Sequence, residues 1–191
     1  MELSVSLLNS KDRMSDIKKL NDTIINYFHI DIMDGKFVSE KAYTYEEVEM
    51  ISKISNKKLD IHLMVEDPNQ YIEKLVKLPN INNITIHLEI NKNIKDILLK
   101  IKNNHIKCGL SIKPKTDINL LEPYLDIIDL ILIMTVEPGY GGQPFIEESP
   151  KRLNEIKELT KEKNILLEVD GGINDKTIQK VTSTNIAVVG S

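Results

Sequence analysis

Apolar residues along the chain fall into short runs rich in Ile, Val and Leu that alternate with longer stretches in which apolar positions recur every three to four residues. The first pattern reads as strand and the second as amphipathic helix. Eight strands are predicted, over residues 3–8, 25–33, 59–64, 84–88, 108–112, 130–135, 166–169 and 186–189. The segments between them carry helical spacing, as in Ile94, Ile97, Leu98 and Ile101, or in Leu153, Ile156 and Leu159 behind Pro150 at a helix start. Several strands are apolar on both faces, Leu130-Ile131-Leu132-Ile133-Met134 most clearly, which suits parallel strands covered on both sides.

Repeated strand–helix units of this number predict an α/β protein, a closed (β/α)8 TIM barrel, with an open doubly wound sheet as the alternative. The 191 residues suit one domain over 1–191. The eighth strand is followed only by Gly190-Ser191, so the last outer helix is missing from this sequence. Burying four or five aliphatic side chains of such a helix would contribute about 8 to 12 kcal/mol before entropy. The natural protein is therefore expected to continue past Ser191.

Composition narrows the function classes. Hydrophobic residues make up 41% and charged residues 28%, which fits a globule with a sizeable core. A net charge of −4 without a basic cluster argues against nucleic acid as a partner. No apolar run approaches the ~18 residues of a membrane span, so no membrane partner is expected. One cysteine, Cys108, allows no internal disulfide and no multi-thiolate metal site. A reducing, cytoplasmic location is the expectation, with Cys108 as a small buried apolar residue.

Candidate chemistry sits at the C-terminal ends of strands, where barrel enzymes carry their active sites. In Phe28-His29-Ile30-Asp31-Ile32-Met33-Asp34-Gly35, period-two alternation puts His29, Asp31 and Met33 on one face. His62 and Met64 share a face of the third strand, and Asp170 ends the seventh. His29, Asp31, His62 and Asp170 can converge on one point. Two imidazoles and two carboxylates form a divalent-metal site suited to Zn, Fe, Mn or Co, and unlike the all-oxygen sites of Ca or Mg. Each residue also has an ordinary reading: a histidine near a strand end is usually a hydrogen-bonded core or rim residue, and Asp170 can cap a turn. His87 and His105 are assigned to that ordinary class, and Asp34 to an Asx turn before Gly35.

Glycine loops supply a second feature. Val136-Glu137-Pro138-Gly139-Tyr140-Gly141-Gly142-Gln143 follows the sixth strand, Gly171-Gly172 the seventh and Gly190-Ser191 the eighth. Backbone amides in adjacent loops of this kind can surround a phosphate without a basic side chain.

With these residues in view, the chain resembles the ribulose-phosphate 3-epimerase family along its whole length. The likeness is carried by Ser6-Leu7-Leu8, by residues 29–35, by His62-Leu63-Met64-Val65, by Gly109-Leu110-Ser111-Ile112-Lys113-Pro114, by Met134-Thr135 running into the glycine loop, by Glu168-Val169-Asp170-Gly171-Gly172-Ile173 and by Gly190-Ser191. The resemblance implies one divalent metal on His29, Asp31, His62 and Asp170, with Asp31 and Asp170 also the catalytic acid and base. It implies substrate contacts from Ser6 and His62, and phosphate binding by Gly139, Tyr140, Gly141, Gly142, Asp170, Gly171, Gly172, Gly190 and Ser191. Met33, Met64 and Met134 are candidate pocket liners, or ordinary core.

The implied activity is epimerisation of D-ribulose 5-phosphate to D-xylulose 5-phosphate in the pentose phosphate pathway, with a small-molecule sugar phosphate as partner and a homo-oligomer as a possible state. A hexulose-phosphate (allulose 6-phosphate) 3-epimerase and a non-catalytic sugar-phosphate-binding barrel are the alternatives. The family usually has Pro where Val5 stands and Pro-Asn where Ser39-Glu40 stands, so a substrate-covering role is not carried over to residues 39–45.

Overall fold

A computed structural model describes residues 1–190. Among the described residues there are nine strands: β1 (Glu2–Ser6), β2 (Tyr27–Asp34), β3 (Lys41–Ala42), β4 (Lys58–Met64), β5 (Ile81–His87), β6 (Lys107–Ile112), β7 (Leu130–Met134), β8 (Leu166–Asp170) and β9 (Ile186–Val189). All but β3 run parallel. β1 pairs with β9 on one side and with β2 on the other, which closes the ring and excludes the open sheet. β3 is a two-residue antiparallel addition on the end of β2. The architecture is the expected eight-stranded (β/α)8 barrel.

Five α-helices and two 3₁₀ segments lie between the barrel strands: α1 (Arg13–Leu20), α2 (Tyr45–Ile54), α3 (Asn69–Leu75), α4 (Ile94–Lys102), the 3₁₀ turns Ile118–Tyr124, α5 (Ser149–Leu159) and the 3₁₀ turn Ile178–Val181. Local signals start them. Thr44 and Glu47 form a reciprocal capping box on α2, Asn93 caps α4, and Pro150 occupies the first turn of α5, where a missing N–H is harmless. Ile94, Ile97, Leu98 and Ile101 form the buried stripe of α4, as their spacing predicts.

Alternation along the strands separates two layers. Outward residues such as Ile30, Ile32, Ile61, Leu63, Ile84, Ile86, Ile131 and Ile133 form one apolar layer with the helices. The inward residues are different. β7 contributes Leu130, Leu132 and Met134, which pack with Val136 and Ile186. Most other strands send in polar groups: Ser4, His29, Asp60, His62, Asn83, Thr85, His87, Ser111 and Glu168 are all buried. Barrel interiors are ordinarily filled by branched apolar side chains. A polar interior must instead be held by hydrogen bonds, since each unpaired buried group costs on the order of 1 to 3 kcal/mol.

That interior accounts for one strand start that differs from expectation, and a local turn for one strand end. β5 starts at Ile81 and not at residue 84, because Asn82 and Asn83 interrupt the apolar run while belonging to the strand; Asn83 turns inward and donates to Asp60 at 2.6 Å. β1 ends at Ser6, because the Ser10 amide donates to the Leu7 carbonyl and turns the chain away from the sheet.

Candidate functional site

At the C-terminal mouth of the barrel a cleft is walled by the expected groups. Ser6, Asp31 and Asp170 supply its polar floor, and Met33, Met64 and Met134 its apolar wall. Gly139, Tyr140, Gly141, Gly142, Gly171, Gly172 and Gly190 form the opposite rim. Ser191, also expected there, lies outside the described residues. Two of the glycines are required by the close approach of other backbone. A Cβ on Gly172, whose φ is +65°, would stand 2.7 Å from the Phe145 nitrogen, and one on Gly190 would stand 2.4 Å from the Ser6 carbonyl oxygen.

The four proposed ligands meet beneath this cleft. His29 and Asp31 lie two apart on β2, His62 is placed opposite Asp31 by the β2–β4 register, and Asp170 ends β8. One atom of each lies within 4.8 Å of the others. His29 Nε2 is 3.2 Å from Asp31 Oδ1 and 3.8 Å from Asp170 Oδ2. His62 Nδ1 is 3.1 Å from Asp31 Oδ1 and 3.8 Å from Asp170 Oδ2. Both rings are fully buried, and neither belongs to the cleft wall, so the cleft reaches them through Asp31 and Asp170.

The donor set fits a divalent ion. His29 Nδ1 donates to Asp60 Oδ2 at 2.6 Å, and Nε2, buried and without a well-aligned hydrogen-bond partner among the described residues, faces the cluster; with the ring neutral, that nitrogen carries the lone pair a metal would take. A carboxylate behind a histidine that frees its other nitrogen is the usual arrangement around a bound metal.

The two carboxylates titrate in opposite directions. Burial alone would raise the pKa of Asp31, but with no cation between them the charge of a protonated His29 outweighs it and holds this carboxyl far below the usual range. Asp170 is pushed up to about 6, first by burial, with the charge of Asp31 adding and that of His29 opposing. Carboxylates driven apart in this way can take separate acid and base roles.

Ser6 Oγ donates to Asp31 Oδ2 at 3.2 Å, so the serine orients the carboxylate as well as lining the cleft. Asp34 makes the expected Asx turn, accepting from the Lys36 and Phe37 amides at 2.8 and 2.9 Å. Beyond the turn Val38 packs on Met33 and Met64, with Phe37 against the same cluster. Ser39, Glu40 and Lys41 are exposed. His105 is exposed beyond α4, and Cys108 is buried, its thiol pushed up to about 11 by burial.

Sequence reasoning missed a supporting layer. Asp60 accepts from His29, from Ser4 Oγ at 2.7 Å and from Asn83. Glu168 is fully buried beside Asp60, its pKa raised well above the usual value by burial and then by the charge of Asp60. His87 is the buried, hydrogen-bonded residue expected, but its partner is His62, at 2.9 Å between Nε2 atoms. The signal for Asp60 and Glu168 was present: each precedes a site residue, His62 and Asp170, by two positions and so shares its face.

Comparison with known proteins places this geometry. The model of the ribulose-phosphate 3 epimerase family matches residues 2–191. A ribulose-phosphate 3-epimerase of Bacillus subtilis (strain 168) is 34% identical over 182 residues, covering 93% of this chain and 83% of the relative. That of Aquifex aeolicus (strain VF5) is 39% identical over 167 residues, covering 85% and 75%. That of Helicobacter pylori (strain J99 / ATCC 700824) is 35% identical over 194 residues, covering 100% and 88%. Among solved structures, a tryptophan synthase alpha-subunit from Pyrococcus furiosus superposes with a TM-score of 0.73 at 16% identity, over 99% of this chain and 86% of that one. An orotidine 5'-monophosphate decarboxylase from Methanocaldococcus jannaschii gives 0.62 at 17%, over 100% and 89%. These structural likenesses speak to the barrel alone; the sequence matches go further, and by them the chain is an isomerase belonging to the ribulose-phosphate 3-epimerase family.

Proposed function

We propose that the chain interconverts D-ribulose 5-phosphate and D-xylulose 5-phosphate at C3, a step of the pentose phosphate pathway, by proton exchange between Asp31 and Asp170. One observation carries the reading: the two carboxylates come from β2 and β8, three strands apart around the ring, and close on one point at the cleft floor. Epimerisation beside a ketone needs a proton removed from one face of the carbon and another returned to the opposite face. A carboxyl held ionised is the acceptor on one side. The other carboxyl, entering the step protonated, serves the opposite side. The reverse reaction exchanges the roles.

A divalent ion of the Zn, Fe, Mn or Co group, held by His29, Asp31, His62 and Asp170, would supply Lewis-acid stabilisation of the charge that develops on the oxygens flanking C3. Ser6 holds Asp31 in orientation through its 3.2 Å hydrogen bond. Met33, Met64 and Met134 keep water from the reacting carbon. The glycine loops at 139–142, 171–172 and 190 offer amides to the phosphate, and the absence of a lysine or arginine among the described cleft-lining residues is consistent with recognition by backbone.

The test is solvent-deuterium incorporation at C3 of D-ribulose 5-phosphate. Asp31→Asn and Asp170→Asn are each expected to abolish it with the far-UV circular dichroism unchanged; near-native exchange in either variant refutes the assignment. D-allulose 6-phosphate run in parallel sets the chain length. A faster reaction with that sugar moves the assignment to a hexulose phosphate.

A further inference from the structure

His87 takes no part in the chemistry just described, yet its hydrogen bonds lead straight to it. The residue is fully buried at the end of β5, with its ring packed against Phe37 at 4.7 Å between centroids. Its Nε2 is 2.9 Å from His62 Nε2, so one hydrogen lies between the two rings. The far end of the chain of bonds decides which ring supplies it. His87 Nδ1 is 3.1 Å from Glu89 Oε2. The other oxygen, Oε1, already accepts from the Lys113 amide at 2.7 Å and from the Thr116 hydroxyl. Arg152 in turn donates to the carbonyl oxygens of both Lys113 and Thr116, which fixes those donors in place.

An ionised carboxylate is an acceptor only, and the two donors on Oε1 hold Glu89 ionised. Glu89 therefore takes the Nδ1 hydrogen of His87. His87 Nε2 is left bare and accepts the Nε2 hydrogen of His62. A neutral His62 then carries its lone pair on Nδ1, the atom 3.1 Å from Asp31 and 3.8 Å from Asp170.

We infer that His87 and Glu89 are positioning residues that hold His62 in its Nε2–H form and so present Nδ1 as a metal ligand; the inference rests on the four-residue metal site proposed above. His29 is oriented by the mirror device. Its Nδ1 donates to Asp60 and its Nε2 faces the cluster. Each ring is thus set by a carboxylate, one in direct contact and one acting through an intervening imidazole. Partners of this kind are typically worth 10- to 100-fold in metal affinity.

Two substitutions separate this role from a merely structural one. Glu89→Gln preserves shape, but its amide oxygen is claimed by the Lys113 and Thr116 donors, and its NH2 then faces His87 Nδ1. That turns the relay round: His87 Nε2 gains the hydrogen and His62 must accept it. His87→Gln removes packing on Phe37 but keeps the direction, with an amide oxygen accepting from His62 and an NH2 donating to Glu89. Co²⁺, titrated into chelator-stripped protein and followed by its d–d absorbance, is the probe.

Glu89→Gln is expected to weaken Co²⁺ binding about 10- to 100-fold, and His87→Gln by about threefold or less. A structural role alone predicts the opposite order. Nitrogen-15 imidazole spectra of the metal-free proteins give the second readout: hydrogen on His62 Nε2 in the wild type and in His87→Gln, and a bare Nε2 in Glu89→Gln. Wild-type affinity in Glu89→Gln, or a bare Nε2 in the wild type, overturns the inference. A wild type that binds no Co²⁺ but carries hydrogen on His62 Nε2 sinks the four-ligand reading and supports the orientation of His62 by His87 and Glu89.

Discussion

Replacing Glu168 by Gln should free the fold from a penalty that grows with pH. Glu168 points into the barrel from β8 and is fully buried; among the described residues no donor reaches either of its oxygens, and only as the protonated acid does it pair, by donating to Asp60. Burial, followed by the charge of the neighbouring Asp60, raises its pKa well above that of a free glutamate. The unfolded chain loses this proton near pH ~4.3, while the folded chain keeps it to higher pH. Between those two values folding takes up one proton. Stability is fully present below the unfolded value and falls as pH rises toward the folded one, by roughly 1.4 kcal/mol per pH unit.

Gln copies the outline of the protonated acid, keeps a donor toward Asp60 and has no proton to lose, so this contribution to the slope disappears. Urea unfolding of the protein in chelator, at intervals from about pH 5 to 8, measures the difference without a metal-binding contribution. The stability of Glu168→Gln relative to wild type should climb at that slope and level off where the wild-type acid ionises. Parallel curves would mean that the acid is already ionised inside the barrel, and the reasoning from burial would be wrong.

Other perturbations follow from the same contacts. Asp60→Asn leaves one acceptor oxygen where Ser4, His29 and Asn83 now donate to two, and should cost about 3 to 5 kcal/mol in urea unfolding, the range for breaking a buried ionic pair. Gly109→Ala would set a Cβ 2.2 Å from Thr85 Oγ1 and 3.0 Å from Thr85 Cβ inside the barrel, an overpacking expected to cost about 1 to 3 kcal/mol. Gly172→Ala puts a side chain at φ +65° against the Phe145 backbone. Its displaced rim should raise KM for the sugar phosphate more than it lowers kcat, as steady-state kinetics will read. Chelation should abolish turnover, with recovery on adding Zn²⁺, Co²⁺, Mn²⁺ or Fe²⁺ and not on adding Ca²⁺ or Mg²⁺, because the donor set is half nitrogen.

How much of this was legible in the sequence depends on parity and on register. Parity survives errors at strand ends. β2 begins at Tyr27 and not at residue 25, yet His29, Asp31 and Met33 still face inward together, since a shift of two residues leaves the faces unchanged. The same rule places Asp60 beneath His62 and Glu168 beneath Asp170. Register is another matter. Asp60 serves His29, and not the histidine on its own strand, because β2 and β4 pair with His29 opposite Asp60; nothing within either strand states that alignment. His62 and His87 likewise meet across β4 and β5 only because Thr85 is the residue opposite His62 and a bulge at Leu59/Asp60 sets the offset.

The polar interior also hid one strand start. An apolar-run criterion begins β5 at Ile84, whereas Asn83 belongs to the strand because its amide answers Asp60. A hydrophobicity pattern assumes that inward means apolar, and in this barrel the residues that build the site are the ones that break the assumption. Where the sequence reads least like a barrel core, at Asp60, Asn83, His87 and Glu168, the interior is committed to holding two imidazoles in a fixed orientation.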